Sequence, residues 1–498
     1  MTEEKSKNPI KELAGQTLLY GLATIVPRFL NYVILTPFYT RVLSLESYGV
    51  VTELYAYIAV LLVILTYGME TAYFRYANKS GDKTVVFSTS VINLGITSLL
   101  FLGFVILFLK PIAGVLEYSG HPEYILLFSV IVAIDAFSAV FFAKLRLENK
   151  GLVFGMIKMA NVLVIILIVF LYLFFIPRIL GKHPESFLRH IYSSRIGVGY
   201  VFIANLAGSL ISLIWLFAIN REFRFVYDRK IIKKMLVYGL PLMVAGLFGI
   251  LNDSFDKIIL KHFYTVEEGL KIVAVYGGNY KIAVLMTLFI QMFRYAVEPF
   301  FFRYAGQKRS RQLYAAVMRY FILFGFVIYL GILVNIDIVK QLVDREYWVG
   351  LKIVPVVLGA NLLFGVFVNL SVWYKINDLT KYAILLNGAG LIMTLLVNIL
   401  FIPAYGYMAS AWGHVAAMSA MVGLSWIIGK KKYPVRYHLE KISIHTVIFV
   451  LFVVILFVRP PGGDAVRIIV YDAVLALMVM FVYIKERKNL VQRTWETE

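Results

Sequence analysis

The octapeptide ETAYFRYA at residues 70–77 returns as EPFFFRYA at residues 298–305, each copy standing where a long apolar run gives way to a basic loop. The matches around it keep their order. Tyr20-Gly21-Leu22 returns as Tyr238-Gly239-Leu240, Phe38-Tyr39-Thr40 as Phe263-Tyr264-Thr265, and Tyr48-Gly49 as Tyr276-Gly277. The offsets of 218, 225, 228 and 228 describe a duplicated unit with small insertions. Each half carries several apolar runs, which points to a membrane transporter built from two related parts.

Composition supports that reading. Of 498 residues, 60% are hydrophobic and only 16% charged, and the mean hydropathy is +0.80, more apolar side chain than a soluble globule of this length buries. Bilayer hydrocarbon offers no water to backbone groups, so each apolar run is expected to be a helix, giving an all-α polytopic membrane protein. The net charge of +20 is not gathered on one polar stripe; the basic residues punctuate the gaps between apolar runs, which excludes nucleic acid as the partner. The absence of cysteine excludes disulfides and thiolate metal sites and names no compartment. The polar start MTEEKSKNPIKELAG, followed by a run containing Pro27 and Arg28, reads as a retained first helix.

The runs predict about fourteen helices, with helix one at roughly 13–35, helix two at 48–68, helix seven at 235–260 and helix eight at 273–293. The repeat boundary falls in REFRFVYDRKIIKKM, residues 221–235. This gives an amino-terminal six-helix lobe over 1–220, a linker at 221–235, a second six-helix lobe over 236–432, and two additional helices with a basic tail over 433–498. An even number of helices per half preserves orientation, so the halves are expected to be parallel repeats with a cleft between them. With both termini in the cytoplasm, roughly 31 of the Lys and Arg residues fall inside and roughly 13 outside. The loop from Pro177 to Ile196 opposes this trend, with Arg178, Lys182, Arg189 and Arg195 outside, a modest cost if it meets an anionic ligand.

Charges within membrane helices are costly unless they face a wet cavity or a partner, so they are the first pointers to function, Lys158 on helix five among them. Arg28, Glu53, Lys257 and Lys281 all fall in the outer half of helices one, two, seven and eight, which are therefore expected to line the cleft. Arg28, Lys257 and Lys281 are candidate ligands for an anionic headgroup such as phosphate or pyrophosphate. For Lys257, neutralisation of the adjacent Asp256 is the competing reading. The 228 offset aligns Glu53 with Lys281, making them a candidate cleft pair or gate. Asp135 on helix four, and Asp253 and Asp256 on helix seven, are candidate coupling-ion sites, with a simply satisfied buried carboxylate as the alternative. Glu70 and Glu298 are expected to pair with Arg75 and Arg303 or with nearby loop bases. Pro27, Pro241 and Pro355 interrupt helices one, seven and ten; Pro27 and Pro241 occupy equivalent helices and are candidate hinges. No metal-ligand spacing, nucleophile elbow or phosphate-binding glycine loop is present, and no cofactor is expected.

The stretches TPFYTRVLSLESYGVV (36–51), YGMETAYFRYA (67–77), YGLPLMVAGLFGILNDSFDKIIL (238–260), YGGNYKIAVLMTLF (276–289) and NILFIPAYGYMASAWGHV (398–415) resemble the polysaccharide flippases of the multidrug, oligosaccharidyl-lipid and polysaccharide exporter superfamily, O-antigen and capsule repeat-unit flippases above all. The resemblance covers helices one to twelve. It implies a V-shaped pair of six-helix bundles, alternating access and an undecaprenyl-pyrophosphate-linked oligosaccharide as cargo. It also implies a bacterial inner-membrane location and function as a monomer, alongside polysaccharide-assembly proteins. Arg28 and Lys281 lie where the cationic pattern of related flippases places charge, whereas Glu53 departs from it. A multidrug exporter of the same superfamily would show an acidic cleft. A membrane polymerase or glycosyltransferase would need a larger extramembrane loop or an Asp-rich metal motif than this chain carries.

Overall fold

A computed structural model describes residues 25–457 apart from 80–81, 221–223, 306, 308, 378 and 438, together with 466, 469–473, 475–477 and 479–480. Every regular element among these residues is helical. The helices are α1 (25–42), α2 (Leu45–Asn78), α3 (Lys83–Leu107), α4 (Pro122–Leu147), α5 (Gly151–Lys182), α6 (Gly199–Ile219) and α7 (Arg229–Ile259). They continue as α8 (Val266–Tyr304), α9 (Ser310–Val334), α10 (Arg345–Ile376), α11 (Lys381–Tyr405), α12 (Tyr407–Lys432) and α13 (Leu439–Phe457). Among the described residues, 11 helices are long and apolar enough to cross a membrane. The start of the first expected helix lies outside the described residues, as do 467–468, 474, 478 and 481–484 of the expected fourteenth.

Several helices outrun their apolar cores. Helix two continues to Asn78 and helix eight to Tyr304, because amphipathic turns extend the backbone ladder past the hydrocarbon and hydropathy sees only the middle. Half of the expected linker is already helix, since Asp228 caps α7 by accepting from the N–H groups of Lys230 and Ile231. Ser44 caps α2 and Asp82 caps α3 in the same way.

The expected prolines act unequally. Pro241 lies inside α7, two residues after Gly239. Pro355 stands inside α10 where a 3-10 stretch, Arg345–Ile353, gives way to the α-helical segment Val354–Leu370, in whose first turn it sits. In α1 the irregularity is a π-turn over Asn31–Leu35, and α5 has another over Leu171–Phe175. Each precedes a further proline, Pro37 or Pro177, whose ring displaces the carbonyl four residues before it and widens the helix.

One end of the bundle carries the connection 220–228 and is the linker end; the far end carries 43–44, 108–121, 260–265 and 335–344. Helices up to α6 pack mainly on one another, with α4 between α2, α3 and α6. Those from α7 onward do likewise, with α10 between α8, α9 and α12. The principal joint between the two groups is α2, which packs against both α7 and α8.

Candidate functional site

The repeated Tyr-Gly pairs are where the two groups of helices come closest. A Cβ on Gly49 would stand 2.1 Å from the carbonyl oxygen of Leu270, and one on Gly277 would stand 2.5 Å from Cγ2 of Thr52. Toward the linker end, Gly68, in the left-handed region at φ 72°, puts its Cα against the backbone of Gly239, where a Cβ would come within 2.4 Å of the carbonyl oxygen. Backbones approach this closely only when the side chain is hydrogen.

At the far end the seam is closed by charge as well. The lysine in the turn after α7, Lys261, is inserted between elements of the first group with 1% of its side chain exposed. Its ammonium meets Glu53 Oε1 at 2.9 Å and Glu117 Oε2 at 3.3 Å, and donates to the Leu116 carbonyl at 3.1 Å. Glu53 has no exposed side-chain surface, and its other oxygen accepts from the Tyr118 hydroxyl at 2.6 Å. Burial first, and then the Glu53 carboxylate, push the Tyr118 phenol well up, so it remains a donor. Around this latch, Lys271 pairs with Glu46 at 2.9 Å, Tyr48 meets Tyr347 edge to face at 5.6 Å, and Arg41 donates to the Gln341 carbonyl at 2.6 Å.

Glu53 therefore pairs with Lys261 in this conformation and not with Lys281. Lys281 is half-buried, its ammonium 5.3 Å from the ring centroid of Tyr48 and 6.0 Å from that of Tyr32, beside a small cavity lined by Thr36, Leu342 and Val343. The equivalence of the Glu53 and Lys281 positions does put α2 and α8 face to face, but a lysine from the adjoining turn reaches the carboxylate. Lys261 escaped the sequence reading because it falls just past the apolar run. The available signal was its spacing: Asp253, Lys257 and Lys261 recur every four residues on one helix face.

Arg28 is exposed, and its guanidinium donates to Gln291 Oε1 on α8 at 2.9 Å, reaching from one group of helices to the other. Lys158 on α5, half-buried, lies 3.9 Å from the ring centroid of Phe142 and within the electrostatic reach of Asp135, Glu70, Arg28 and Arg146. Three cations and two carboxylates thus share one region toward the linker end, and Arg28 lies there rather than in the expected outer half of its helix, because α1 runs on to Val42. Arg28 and Lys158 were visible in the sequence as charges within apolar runs; Arg146, at the end of α4, and the uncharged Gln291, within α8, were not singled out.

The second group holds a different cluster. Lys257 bonds Asp256 Oδ1 at 3.0 Å and the Asp253 carbonyl, and lies 4.0 Å from the centroid of Tyr280. Tyr276 donates to Asp256 at 2.5 Å and Tyr280 to Asp253 at 2.6 Å, with buried His414 beside Tyr280. Lys257, expected as a ligand cation, is held in this conformation by the Asp256 carboxylate and the Asp253 backbone carbonyl. Asp256 is 2% exposed, whereas Asp253 keeps accessible surface. Among the described residues no cluster of three or more His, Asp or Glu suits a metal ion.

The repeated glutamates at the linker end form equivalent pairs. Glu70 bonds Arg146 at the end of α4, and Glu298 bonds Lys375 at the end of α10 at 2.7 Å. Glu298 lies 228 positions after Glu70, and Lys375 lies 229 after Arg146. Arg75, one expected partner of Glu70, instead lies over the ring of Tyr238 at 4.2 Å. Burial alone would raise the Glu298 carboxyl, but the charges of Arg294 and Lys375 outweigh it and hold it below the ordinary range, so this strut stays charged until acid pH.

A family model described as polysaccharide biosynthesis protein matches residues 13–305. No curated protein matches the sequence. Among solved structures, the lipid II flippase MurJ in an inward closed conformation is similar at a TM-score of 0.74 and 14% identity, over 95% of this chain and 100% of that one. An inward-facing multidrug resistance MATE family transporter of the MOP superfamily is similar at 0.63 and 15%, over 83% of this chain and 94% of that one. An outward-facing one is similar at 0.59 and 14%, over 86% and 98%.

Proposed function

Because the chain belongs to the polysaccharide biosynthesis protein family, we propose that it flips a lipid-linked oligosaccharide bearing a pyrophosphate across the membrane by alternating access. One observation carries the reading: Arg28, Arg146 and Lys158 gather toward the linker end while the far end is shut by Lys261 and the glycine seam. The excess of basic residues at the linker end assigns it to the cytoplasm, so these cations stand on the side from which a charged headgroup arrives. Glycan hydroxyls would lose their hydrogen bonds in hydrocarbon, so the protein supplies a polar path for the head while the prenyl tail stays in lipid. The two groups of helices act as lobes, with Pro27 and Pro241 beside the joint at α2, α7 and α8.

Removing the cations tests the reading. Hydrogen bonds to charged groups contribute about 1.5–3 kcal/mol, so Arg28→Ala with Lys158→Ala is expected to slow flipping of a fluorescent pyrophosphate-linked oligosaccharide in proteoliposomes by about 10- to 100-fold. Unchanged flipping would overturn the assignment, and loss of drug-cation efflux in its place would favour a multidrug exporter.

Lys257 already occupies the Asp256 carboxylate, so the energy is assigned to the membrane potential. Two negative charges moving outward gain about 2.3 kcal/mol each per 100 mV. Collapsing the potential with an ionophore is therefore expected to slow net export severalfold at fixed ion gradients; indifference to it would return coupling to an ion.

A further inference from the structure

The end of α5 and the loop joining it to α6 carry charge that transport does not use. Arg178, Lys182, Arg189 and Arg195 are all exposed, and Glu185 is the one acid among them. Apolar side chains alternate with these bases: Phe187 is 74% exposed, and Ile179 and Ile191 are exposed as well. The loop is also held in shape. Tyr192 stacks on Tyr200 at 5.5 Å and Tyr200 on Tyr172 at 4.7 Å, while the Tyr200 hydroxyl accepts from the Ser193 N–H at 2.8 Å and Tyr124 donates to the Ile196 carbonyl at 3.0 Å.

Helix α5, 32 residues long, spans about 48 Å at 1.5 Å per residue, more than the ~30 Å hydrocarbon core. Its last turns, with Arg178 and Lys182, therefore stand in the headgroup layer. We propose that this loop is a platform lying in the far-end interface, its apolar side chains at the acyl boundary and its four bases on the phosphates of anionic phospholipids. A soluble anion would account for the bases alone. Only a lipid surface uses both sets of residues, since basic side chains reach headgroup phosphates while neighbouring apolar ones sink below them. The inference is independent of the cargo.

The chain has no cysteine, and a Cβ at Gly181 meets no atom within 4 Å, so Gly181→Cys gives a unique, unstrained site for a donor fluorophore. The full-length protein in phosphatidylcholine vesicles containing one quarter phosphatidylglycerol is expected to transfer energy about threefold more to headgroup-labelled phosphatidylglycerol than to labelled phosphatidylcholine, scaling from the attraction per basic residue at an anionic surface. With Arg178, Lys182, Arg189 and Arg195 all changed to Gln, the two lipids are expected to become equivalent. Phe187→Ser alone is expected to lower transfer to both as the loop lifts away. Equal transfer in the parent, or a preference that survives loss of the four charges, would overturn the proposal. Erasure of the preference by millimolar inorganic phosphate would reassign the site to a soluble anion.

Discussion

Lys261→Met is expected to be the most damaging single substitution outside the cargo site. Glu53 has no exposed side-chain surface and Lys261 has 1%, so the variant leaves a carboxylate in a low-dielectric pocket with only the Tyr118 hydroxyl to satisfy it. Breaking a buried pair from one side costs about 3–5 kcal/mol. Because Lys261 belongs to the second group of helices and Glu53, Leu116 and Glu117 to the first, that loss falls largely on the sealed far end. Spin labels at Gly120→Cys, where a Cβ meets open space, and at Val349→Cys, which is 66% exposed, report the separation of the two groups there. The distance distribution is expected to shift to longer values, and thermal stability to fall. Adding Glu53→Leu removes the orphaned charge and is expected to recover most of the stability, since an ion pair replaced whole by apolar groups is often close to neutral. A Lys261→Met protein that matches the parent in both measurements would remove the latch from the account.

Gly49→Ala is the second large effect. The new methyl group would lie 2.1 Å from a backbone carbonyl oxygen, that of Leu270, and no rotamer change can move a backbone aside. The helices must separate, and overpacking of this kind costs about 1–3 kcal/mol or more. The expected outcome is at least a tenfold fall in flipping rate, with the far end open by the same spin-label measurement. Gly277→Ala provides the contrast, because its obstacle is the Cγ2 methyl group of the Thr52 side chain. Thr52→Ser deletes that methyl group and keeps the hydroxyl that bonds the Tyr48 carbonyl at 3.0 Å, so it is expected to rescue Gly277→Ala and to leave Gly49→Ala uncorrected. Equal rescue of both would mean that the seam is looser than the contacts indicate.

The asymmetry between these glycines marks where sequence reasoning stopped. Duplication was legible because paired Tyr-Gly and Glu-x-x-x-x-Arg-Tyr-Ala segments keep order and spacing, and the helical class because apolar runs of that length have one backbone solution in lipid. The purpose of the repeated glycines was not legible, since close approach depends on which helices face each other and at what depth. The same limit applied to charge. Arg28, Asp135 and Lys158 stood out inside apolar runs, but the partner of Glu53 came from a turn, and periodicity carries no information about how a turn folds back. Lys257 shows the converse case. Its neighbour in sequence, Asp256, is its neighbour in space, and the bland reading of that dipeptide was the one the structure bears out.

The Glu70–Arg146 and Glu298–Lys375 struts bear on how far a movement carries. Each ties the tip of a long inner helix to the helix packed behind it, a brace against flexing where that helix leaves the bilayer. In the proposed cycle a displacement begun at one mouth would be carried along the helix toward the other, as in a seesaw whose plank is braced from beneath. Arginine braces one plank and lysine the other, so the two arms need share only their stiffness and not their chemistry.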